Sequence, residues 1–406
     1  MANIDVYVQS KNVGLLAKTA QLDDFSEKHS FTYLAEAKQA LSLLMPVRRE
    51  TYDYPGLHPI FQMNLPEGYL REYLERATAK AFGSDDLTIL TLLGNNQIGR
   101  LQYRLEGEGG EEGVEKAPEL SAILTSEDSG LFDQLMTRFA LRSGVAGVQP
   151  KMLLDASRIT DKSTVNLSSY VVKTWGPEFP HLACNEYTCL MLCKYSGLDV
   201  PEFYISDNAK LFVSKRFDIN EDGEALGFED FCVLQAKSTK QKYDASLESC
   251  ANTIKQFVSP ELLAKALADF FKLTVINVLV RNGDAHLKNC GIIYNDLAQY
   301  KQGTMPMQQR QFSPVFDVVS TLPYIKNDTM ALTLSGSKRW PKWKVLESFA
   351  VSHCGLSKKK ANLILDDVYI AARLVVPNFQ ELKDQHEGFQ PIAEDMEALI
   401  KAGIST

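Results

Sequence analysis

The first hundred residues show the pattern of hydrophobic positions that is typical of a small domain mixing strands and helices. Ile4, Val6 and Val8 alternate with polar residues, which is the two-residue period of a strand with one buried face. The same reasoning predicts further strands at 31–34, 41–47 and 98–103, an ordered loop at 54–68, and helices at 69–82 and 85–93. We therefore expect residues 1–104 to form a separate N-terminal α/β subdomain.

A change of composition marks the end of this unit. Residues 106–119, EGEGGEEGVEKAPE, are acidic, rich in glycine and almost free of large apolar side chains. Such a composition favours an exposed linker over a packed element. We place the linker at 105–119, a first lobe at 120–232 and a second lobe at 233–406.

The hydrophobic pattern then shifts from strand-like to helix-like along the chain. Apolar runs predict strands at 170–173, 210–217, 290–294 and 312–320. Apolar positions at helical spacing predict helices at 185–196, 261–280, 342–352, 357–374 and 377–402. We therefore expect an α+β chain whose second lobe is mainly helical.

Composition and charge narrow the class of protein. The 406 residues are 45% hydrophobic, which is enough for several domains with a large core, and the net charge of −8 does not suggest a dominant nucleic-acid-binding surface. Seven cysteines, mostly within apolar runs, favour reduced thiols. The first residues do not resemble a signal peptide, and no apolar run reaches the ~18 residues of a membrane helix. These features predict a cytoplasmic protein that does not use a membrane.

A polar loop at 281–289 carries the strongest chemical signal. Asp284 and Asn289 lie five residues apart, between an apolar helix and a short apolar strand. This spacing is typical of a protein-kinase catalytic loop, in which the Asp orients the attacking hydroxyl and the Asn holds magnesium. The alternative is a polar turn with a helix cap.

Four further features fit a kinase, and each has a structural alternative. The glycine-containing segment 141–154 could cradle phosphates or form a tight turn. Lys173 ends a strand and could hold phosphates, with Glu186 as its ion-pair partner. Otherwise Lys173 is a solvated residue at a strand edge, and Glu186 is a carboxylate that favours the start of a helix. Residues 227–232 could face adenine or cap a helix. Asp317, inside an apolar run, needs either a magnesium ion or a basic partner.

The order of these features along the chain is the order found in kinases, and the motifs resemble the HipA family of bacterial toxin serine/threonine kinases. The resemblance rests on VAGVQPK at 145–151, NEY at 185–187, GLDVP at 197–201, KRFD at 215–218, EDFC at 229–232, NGDAHLKN at 282–289 and SPVFDVVS at 313–320. MPVR at 45–48 and NLPEG at 64–68 resemble the family's N-terminal subdomain.

The resemblance implies a two-lobed protein-kinase-like fold and an ATP- and magnesium-dependent kinase acting on a protein. It implies that Asp284 is the catalytic base, and that Asn289 and Asp317 hold Mg²⁺. The residues implied in nucleotide and phosphate binding are Ala146, Gly147, Val148, Gln149, Lys151, Lys173, Glu229, Asp230, Phe231, His286, Lys288 and Phe316. The resemblance also implies that the chain is the toxin of a type II toxin–antitoxin pair, whose helix-turn-helix antitoxin binds DNA. It implies an aminoacyl-tRNA synthetase as one kind of phosphorylated target.

One position departs from the family pattern. Members can phosphorylate a serine of their own just before the Val-Ala-Gly of the glycine loop, whereas this chain has Gly144 there and Ser143 beside it. Self-phosphorylation is therefore either absent or moved to Ser143. Two other functions stay open at this point: a catalytically weak nucleotide-binding scaffold that serves as a transcriptional co-regulator, and a small-molecule kinase of the aminoglycoside-phosphotransferase type.

Overall fold

The computed structural model describes residues 3–19, 28–67, 71–72, 74–75, 85–93, 97–107, 118–128, 130–135, 163–166 and 169–404. The glycine loop at 141–154, including Ser143, lies outside the described residues. Most of the predicted helix at 69–82 and of the acidic linker lies outside them too.

The strands form three sheets. The first contains β1 (Ile4–Val8), β2 (Lys11–Thr19), β3 (Lys28–Tyr33), β4 (Tyr52–Pro55) and β5 (Leu101–Leu105), in the order β4-β3-β2-β1-β5. The second contains β6 (Ser163–Asn166), β7 (Tyr170–Thr174), β8 (Phe203–Ile205) and β9 (Phe212–Lys215), in the order β6-β7-β9-β8. The third contains β10 (Gly227–Asp230), β11 (Gly291–Tyr294) and β12 (Arg310–Phe312) in that order. Neighbouring strands within these sheets are antiparallel in every described ladder, and only isolated bridges such as that between Lys28 and Gly56 are parallel.

Helices are concentrated in the second half of the chain. The earlier ones are α1 (Pro59–Gln62), α2 (Asp86–Leu93), α3 (Leu120–Leu124), α4 (Leu131–Leu135), α5 (Leu182–Tyr195) and α6 (Phe231–Leu234). The later ones are α7 (Leu247–Phe257), α8 (Leu263–Leu279), α9 (Trp343–Ser352), α10 (Lys358–Leu374), α11 (Val376–Gln385) and α12 (Gln390–Ile404). Short 3₁₀ turns occupy Thr239–Gln241, Pro260–Leu262, Leu287–Asn289 and Glu387–Phe389.

The N-terminal subdomain is organised by its alternating first strand. Ile4, Val6 and Val8 are buried, as the two-residue period predicts, and β1 lies between β2 and β5. The hydrophobic pattern predicted no separate strand at β2, which begins directly after a tight turn at Gln9 and Ser10, both with positive φ. The predicted strand at 41–47 is wrong, because the backbone there makes isolated bridges and contacts other parts of the chain.

The second sheet and α5 form the first lobe. Lys173 on β7 pairs with Phe212 on β9, so it lies in the middle of the sheet and not at a free edge. Helix α5 ends at Tyr195, and Gly197 has a φ of +79°, which is the left-handed conformation expected after a helix end.

The second lobe packs its helices around α8. The largest hydrophobic cluster joins α5, α7, α8, α9 and α10 with the small sheet that contains β11. Two predictions are wrong here. The segment 313–320 is irregular and follows the short strand β12, and the single helix predicted at 377–402 is divided at His386, where the backbone leaves the helical region.

The fold class predicted from the sequence, a mixed α+β chain with an N-terminal α/β subdomain and a mainly helical C-terminal lobe, is confirmed. Among the described residues, no helix is both long enough and apolar enough to cross a bilayer.

Candidate active site

The loop that carries Asp284 is shaped by hydrogen bonds at the end of α8. Asn282 accepts from the backbone N–H of Asp284 at 3.1 Å, and the N–H of Gly283 donates to Thr321 Oγ1 at 2.8 Å. A Cβ at position 283 would collide with the carboxylate of Asp328, so the approach of this loop requires glycine. The Asp284 side chain is 45% exposed and lines a large cavity.

Asn289 and Asp317 meet although 28 residues separate them. Asn289 Nδ2 donates to Asp317 Oδ2 at 2.9 Å, and Asn289 Oδ1 accepts from the N–H of His286 at 3.1 Å. Asp317 has a φ of +60°, an uncommon conformation for a residue with a side chain. The sequence predicted Asp317 in a strand; the structure instead places it in a loop with left-handed backbone geometry.

Lys173 joins this pair from the first lobe. Its Nζ contacts Glu186 Oε1 at 2.5 Å and Asp317 Oδ1 at 3.1 Å. Both Lys173 and Glu186 are buried. The predicted Lys173–Glu186 pair is therefore present, and the basic partner considered for Asp317 is present as well.

Asp284 and Asp317 line one cavity of about 690 Å³ between the N-terminal subdomain and the two lobes, and Asn289 and Lys173 adjoin it through their contacts with Asp317. Its floor is formed by the loop of Asp284, His286 and Lys288 together with Asp317. The N-terminal subdomain contributes a wall through residues 63–67. A volume of this size suits a nucleotide-sized ligand.

The oxygen atoms of the site are of the kind that magnesium binds, but protein ligands alone would not complete its coordination. Magnesium prefers oxygen ligands and usually takes one or two carboxylates together with water and phosphate. Asp317 offers a carboxylate. Asn289 directs its amide nitrogen toward Asp317 and its oxygen toward the N–H of His286, so the oxygen would bind an ion beside Asp317 only after the amide turns. Within the described part of the chain no group of three His, Cys, Asp or Glu residues could hold a metal ion. A bound ion would thus depend on Asn289 and on phosphate oxygens.

His286 and Lys288 lie in the same loop but in different electrostatic settings. Burial lowers the pKa of His286, although the negative charges of Asp284 and Asp317 act to raise it. Its imidazole is therefore neutral at pH 7. Burial would also lower the pKa of Lys288, but the charges of Asp230 and Glu67 outweigh it and raise the pKa. Lys288 therefore keeps its charge in a mostly buried position.

The three residues predicted to face adenine direct their side chains elsewhere. Glu229 accepts from Ser42, Leu43 and Tyr294, Asp230 caps α6 by accepting from the N–H of Val233 at 2.9 Å, and Phe231 is fully buried in the hydrophobic core. The alternative of a helix cap is confirmed for Asp230. Any contact of this segment with a nucleotide would have to come from its backbone.

Phe316 also packs away from the cavity floor. Its ring stacks on Phe217, with ring centroids 5.3 Å apart, and meets Phe228 edge-on. The remaining predicted nucleotide contacts (Ala146, Gly147, Val148, Gln149 and Lys151) lie outside the described residues.

The structure brings three residues to the site that the sequence did not single out for it. Tyr243 Oη donates to Asp284 Oδ1 at 2.7 Å, and Glu67 contacts the ammonium groups of Lys288 and Lys242. Tyr243 and Lys242 lie in a polar segment without periodicity, and Glu67 lies more than 170 residues away from Lys242. None of these three residues carries a local sequence signal that would place it beside Asp284.

Comparison with known proteins places these motifs in a family. The model of the HipA-like C-terminal domain matches residues 143–375, and that of the HipA N-terminal domain matches residues 4–104. Two provisionally named kinases of Sinorhizobium fredii are similar in sequence. Y4dM is 27% identical over 82% of this chain and 78% of its own length, and Y4mE is 27% identical over 77% and 73%.

A solved structure shares the fold. It is the Shewanella oneidensis toxin–antitoxin complex of HipA, HipB and operator DNA, in which the matched chain aligns with a TM-score of 0.68 and 16% identity. The alignment covers 99% of this chain and 96% of the other. At this identity the match establishes the common architecture.

Proposed function

We propose that this chain, which belongs to the HipA family, is an ATP- and magnesium-dependent serine/threonine protein kinase that acts as the toxin of a toxin–antitoxin pair. The observation that carries the proposal is that Asp284 and Asp317 line one cavity, while Asn289 and Lys173 both contact the carboxylate of Asp317. The similarity to provisionally named kinases supports the same reaction class.

The geometry suggests a division of roles among these residues. The exposed carboxylate of Asp284 accepts the proton of the acceptor hydroxyl. The ammonium of Lys173, held by Glu186, orients the phosphates of ATP. Asn289 and Asp317 would hold a magnesium ion, which neutralises phosphate charge when bound.

A protein acceptor and an antitoxin partner complete the proposal. The acceptor would be a cytosolic protein such as an aminoacyl-tRNA synthetase, as the family resemblance implies. The Shewanella neighbour was solved with HipB and operator DNA, which supports a helix-turn-helix partner that gives this chain an indirect contact with DNA. Location in the cytoplasm belongs to the same proposal.

The test is phosphate transfer from labelled ATP with magnesium into cell-extract proteins, with wild type and Asp284→Asn compared. Loss of a general base typically slows such a reaction by about 10²- to 10⁴-fold, so Asp284→Asn should lose most of its transfer while keeping its fold. Phosphoamino-acid analysis of the labelled band reports Ser/Thr specificity.

Three outcomes would count against parts of the proposal. Equal labelling by both proteins would remove Asp284 from its role, and no labelling by either would favour the scaffold function. Label on a metabolite and not on a protein would favour a small-molecule kinase. For the toxin role, expression of wild type but not of Asp284→Asn should arrest growth, and co-expression of a helix-turn-helix protein, where one is encoded beside this gene, should relieve the arrest.

A further inference from the structure

A carboxylate from the N-terminal subdomain reaches the catalytic loop. Glu67 Oε1 contacts Lys288 Nζ at 2.7 Å, and Glu67 Oε2 contacts Lys242 Nζ at 2.9 Å. Lys288 directly precedes Asn289 in the loop of Asp284. One side chain from outside the two lobes thus holds two cations at the floor of the cavity.

The charges at this contact depend on one another. The lysine side chains are mostly buried, at 15% and 22% exposure, while Glu67 is 40% exposed. Burial would raise the pKa of Glu67, but the two ammonium groups outweigh it and lower the pKa to about 2, so Glu67 is charged at neutral pH. Both ammonium groups bind the same carboxylate, at 2.7 and 2.9 Å, so without it their like charges would repel each other uncompensated by Glu67.

The segment of Lys242 also touches the candidate base. The carbonyl of Lys242 accepts from the N–H of Leu287 at 3.1 Å, and the next residue, Tyr243, donates its hydroxyl to Asp284 Oδ1 at 2.7 Å. The Tyr243 ring also meets His286 edge-on, with ring centroids 5.2 Å apart. A displacement of Lys242 would therefore reach the carboxylate of Asp284 through one adjacent residue.

We propose that Glu67 is a positioning residue for phosphoryl transfer, which acts by pinning Lys288 and the Lys242–Tyr243 pair so that Tyr243 fixes the carboxylate of Asp284. One oxygen of Asp284 is held by the phenol, and the other is presented to the acceptor hydroxyl. This inference rests on the proposed kinase function, because it assigns a purpose to the orientation of Asp284. It makes the N-terminal subdomain a part of the active site.

A purely structural role for Glu67 makes a different prediction. The N-terminal subdomain is already attached by buried contacts: Arg216 donates to the carbonyl of Gln97, Asp218 accepts from the N–H of Gly99, and Glu229 accepts from Ser42. Because these contacts remain in Glu67→Gln, this variant should melt close to the wild-type temperature. A role in docking alone would lower the melting temperature and leave kcat unchanged.

The kinetic experiment compares Glu67→Gln, Tyr243→Phe and the double variant. The matched control is Glu202→Gln, which breaks an exposed pair with Lys215 (3.2 Å) on the second sheet. A misplaced catalytic group typically costs up to about 100-fold, so we expect each single variant to lose roughly 10- to 100-fold in kcat with KM for ATP nearly unchanged. Because both act through Asp284, the double variant should be no slower than the slower single variant. The control should match wild type.

A second measurement does not depend on activity. Hydrogen exchange of the nucleotide-free protein reports the N–H of Leu287, which is bonded to Lys242. Glu67→Gln should exchange faster in the peptide spanning 283–290, and Glu202→Gln should not. The inference would be overturned if Glu67→Gln had the same hydrogen-exchange rate and the same kcat as wild type. It would also be overturned if the fold-losses in kcat of the two single variants multiplied in the double variant. If wild type itself transfers no phosphate, the proposed function fails, and the exchange result alone decides whether Glu67 orders the loop.

Discussion

At the scale of single residues, the clearest result is a chain of three charged groups across the two lobes. Glu186 and Asp317 both contact Lys173 Nζ, and Glu186 is fully buried. Removing one partner from a buried ion pair leaves an uncompensated charge, which is far more costly than losing a surface pair. Lys173 therefore has a structural role that must be separated from its proposed contact with phosphates.

The first prediction separates these roles. Lys173→Met should lower the free energy of unfolding by about 3–5 kcal/mol, because the Glu186 carboxylate loses its main counter-charge. Lys173→Met combined with Glu186→Gln should recover a large part of that stability without recovering phosphate transfer. Chemical denaturation and the labelled-ATP assay measure the two effects. Recovery of transfer in the double variant would show that Lys173 matters for stability alone.

At the scale of elements, β10 is the junction between the N-terminal subdomain and the catalytic lobe. Glu229 accepts from Ser42 Oγ at 2.5 Å, from the N–H of Leu43 at 2.8 Å and from Tyr294 Oη at 2.5 Å. These bonds explain why 41–47 is not a strand: its backbone and Ser42 are bound to a carboxylate from another part of the chain. A residue that resembled an adenine contact in sequence thus joins two parts of the fold.

The second prediction concerns this junction. Glu229→Ala leaves three buried donors without an acceptor, and each such loss costs about 1–3 kcal/mol, so the variant should be destabilised by at least about 3 kcal/mol. Glu229→Gln, which keeps the volume and one acceptor, should cost less. Urea unfolding of the three proteins measures the difference. Similar stability of the alanine variant and wild type would show that the junction does not depend on Glu229.

The same carboxyl group predicts a dependence on pH. Burial raises the pKa of Glu229 above its ordinary value of 4.5, although its three donors oppose the shift. The folded state therefore binds this proton more tightly than the unfolded state, so the contribution is fully present below pH 4.5 and is lost as the pH rises through the raised pKa. The stability advantage of wild type over Glu229→Gln should be smaller at pH 8 than at pH 5. A larger advantage at pH 8 would contradict a raised pKa.

At the scale of the whole molecule, the N-terminal subdomain is tied to the rest of the chain by several buried contacts. Val233, from the first turn of α6, belongs to the hydrophobic cluster of the first sheet. The buried ion pair of Arg216 and Asp218 bonds the backbone at Gln97 and Gly99. Such shared cores favour unfolding as one unit.

The fourth prediction follows from this coupling. Scanning calorimetry of the full chain should show one transition that includes the N-terminal subdomain, and Val233→Asn, which places a polar group in the shared cluster, should lower its midpoint as a whole. Two separate transitions, with only the first shifted by Val233→Asn, would show that the subdomain is independent. In that case Glu67 could not position the catalytic loop permanently.

Elements with a local signal follow from the order of the amino acids alone. The alternation of β1, the helices α8 and α10 and the spacing of Asp284 and Asn289 follow from the periods of strand and helix and from the chemistry of one loop. The strand that bears Lys173 was predictable for the same reason. Its pairing with Glu186 remained one of two alternatives, because charge alone does not fix distance.

Contacts between distant residues depend on how the whole chain packs and could not be read from local patterns. Ser42 and Glu229 are 187 positions apart, Glu67 and Lys242 are 175 apart, and neither pair belongs to a periodic pattern. Asp317, whose backbone is left-handed, likewise contacts Lys173 and Asn289, which lie 144 and 28 positions away in the sequence. Local physics places a carboxylate in a loop, but its partners are set by how the subdomain and the two lobes pack together.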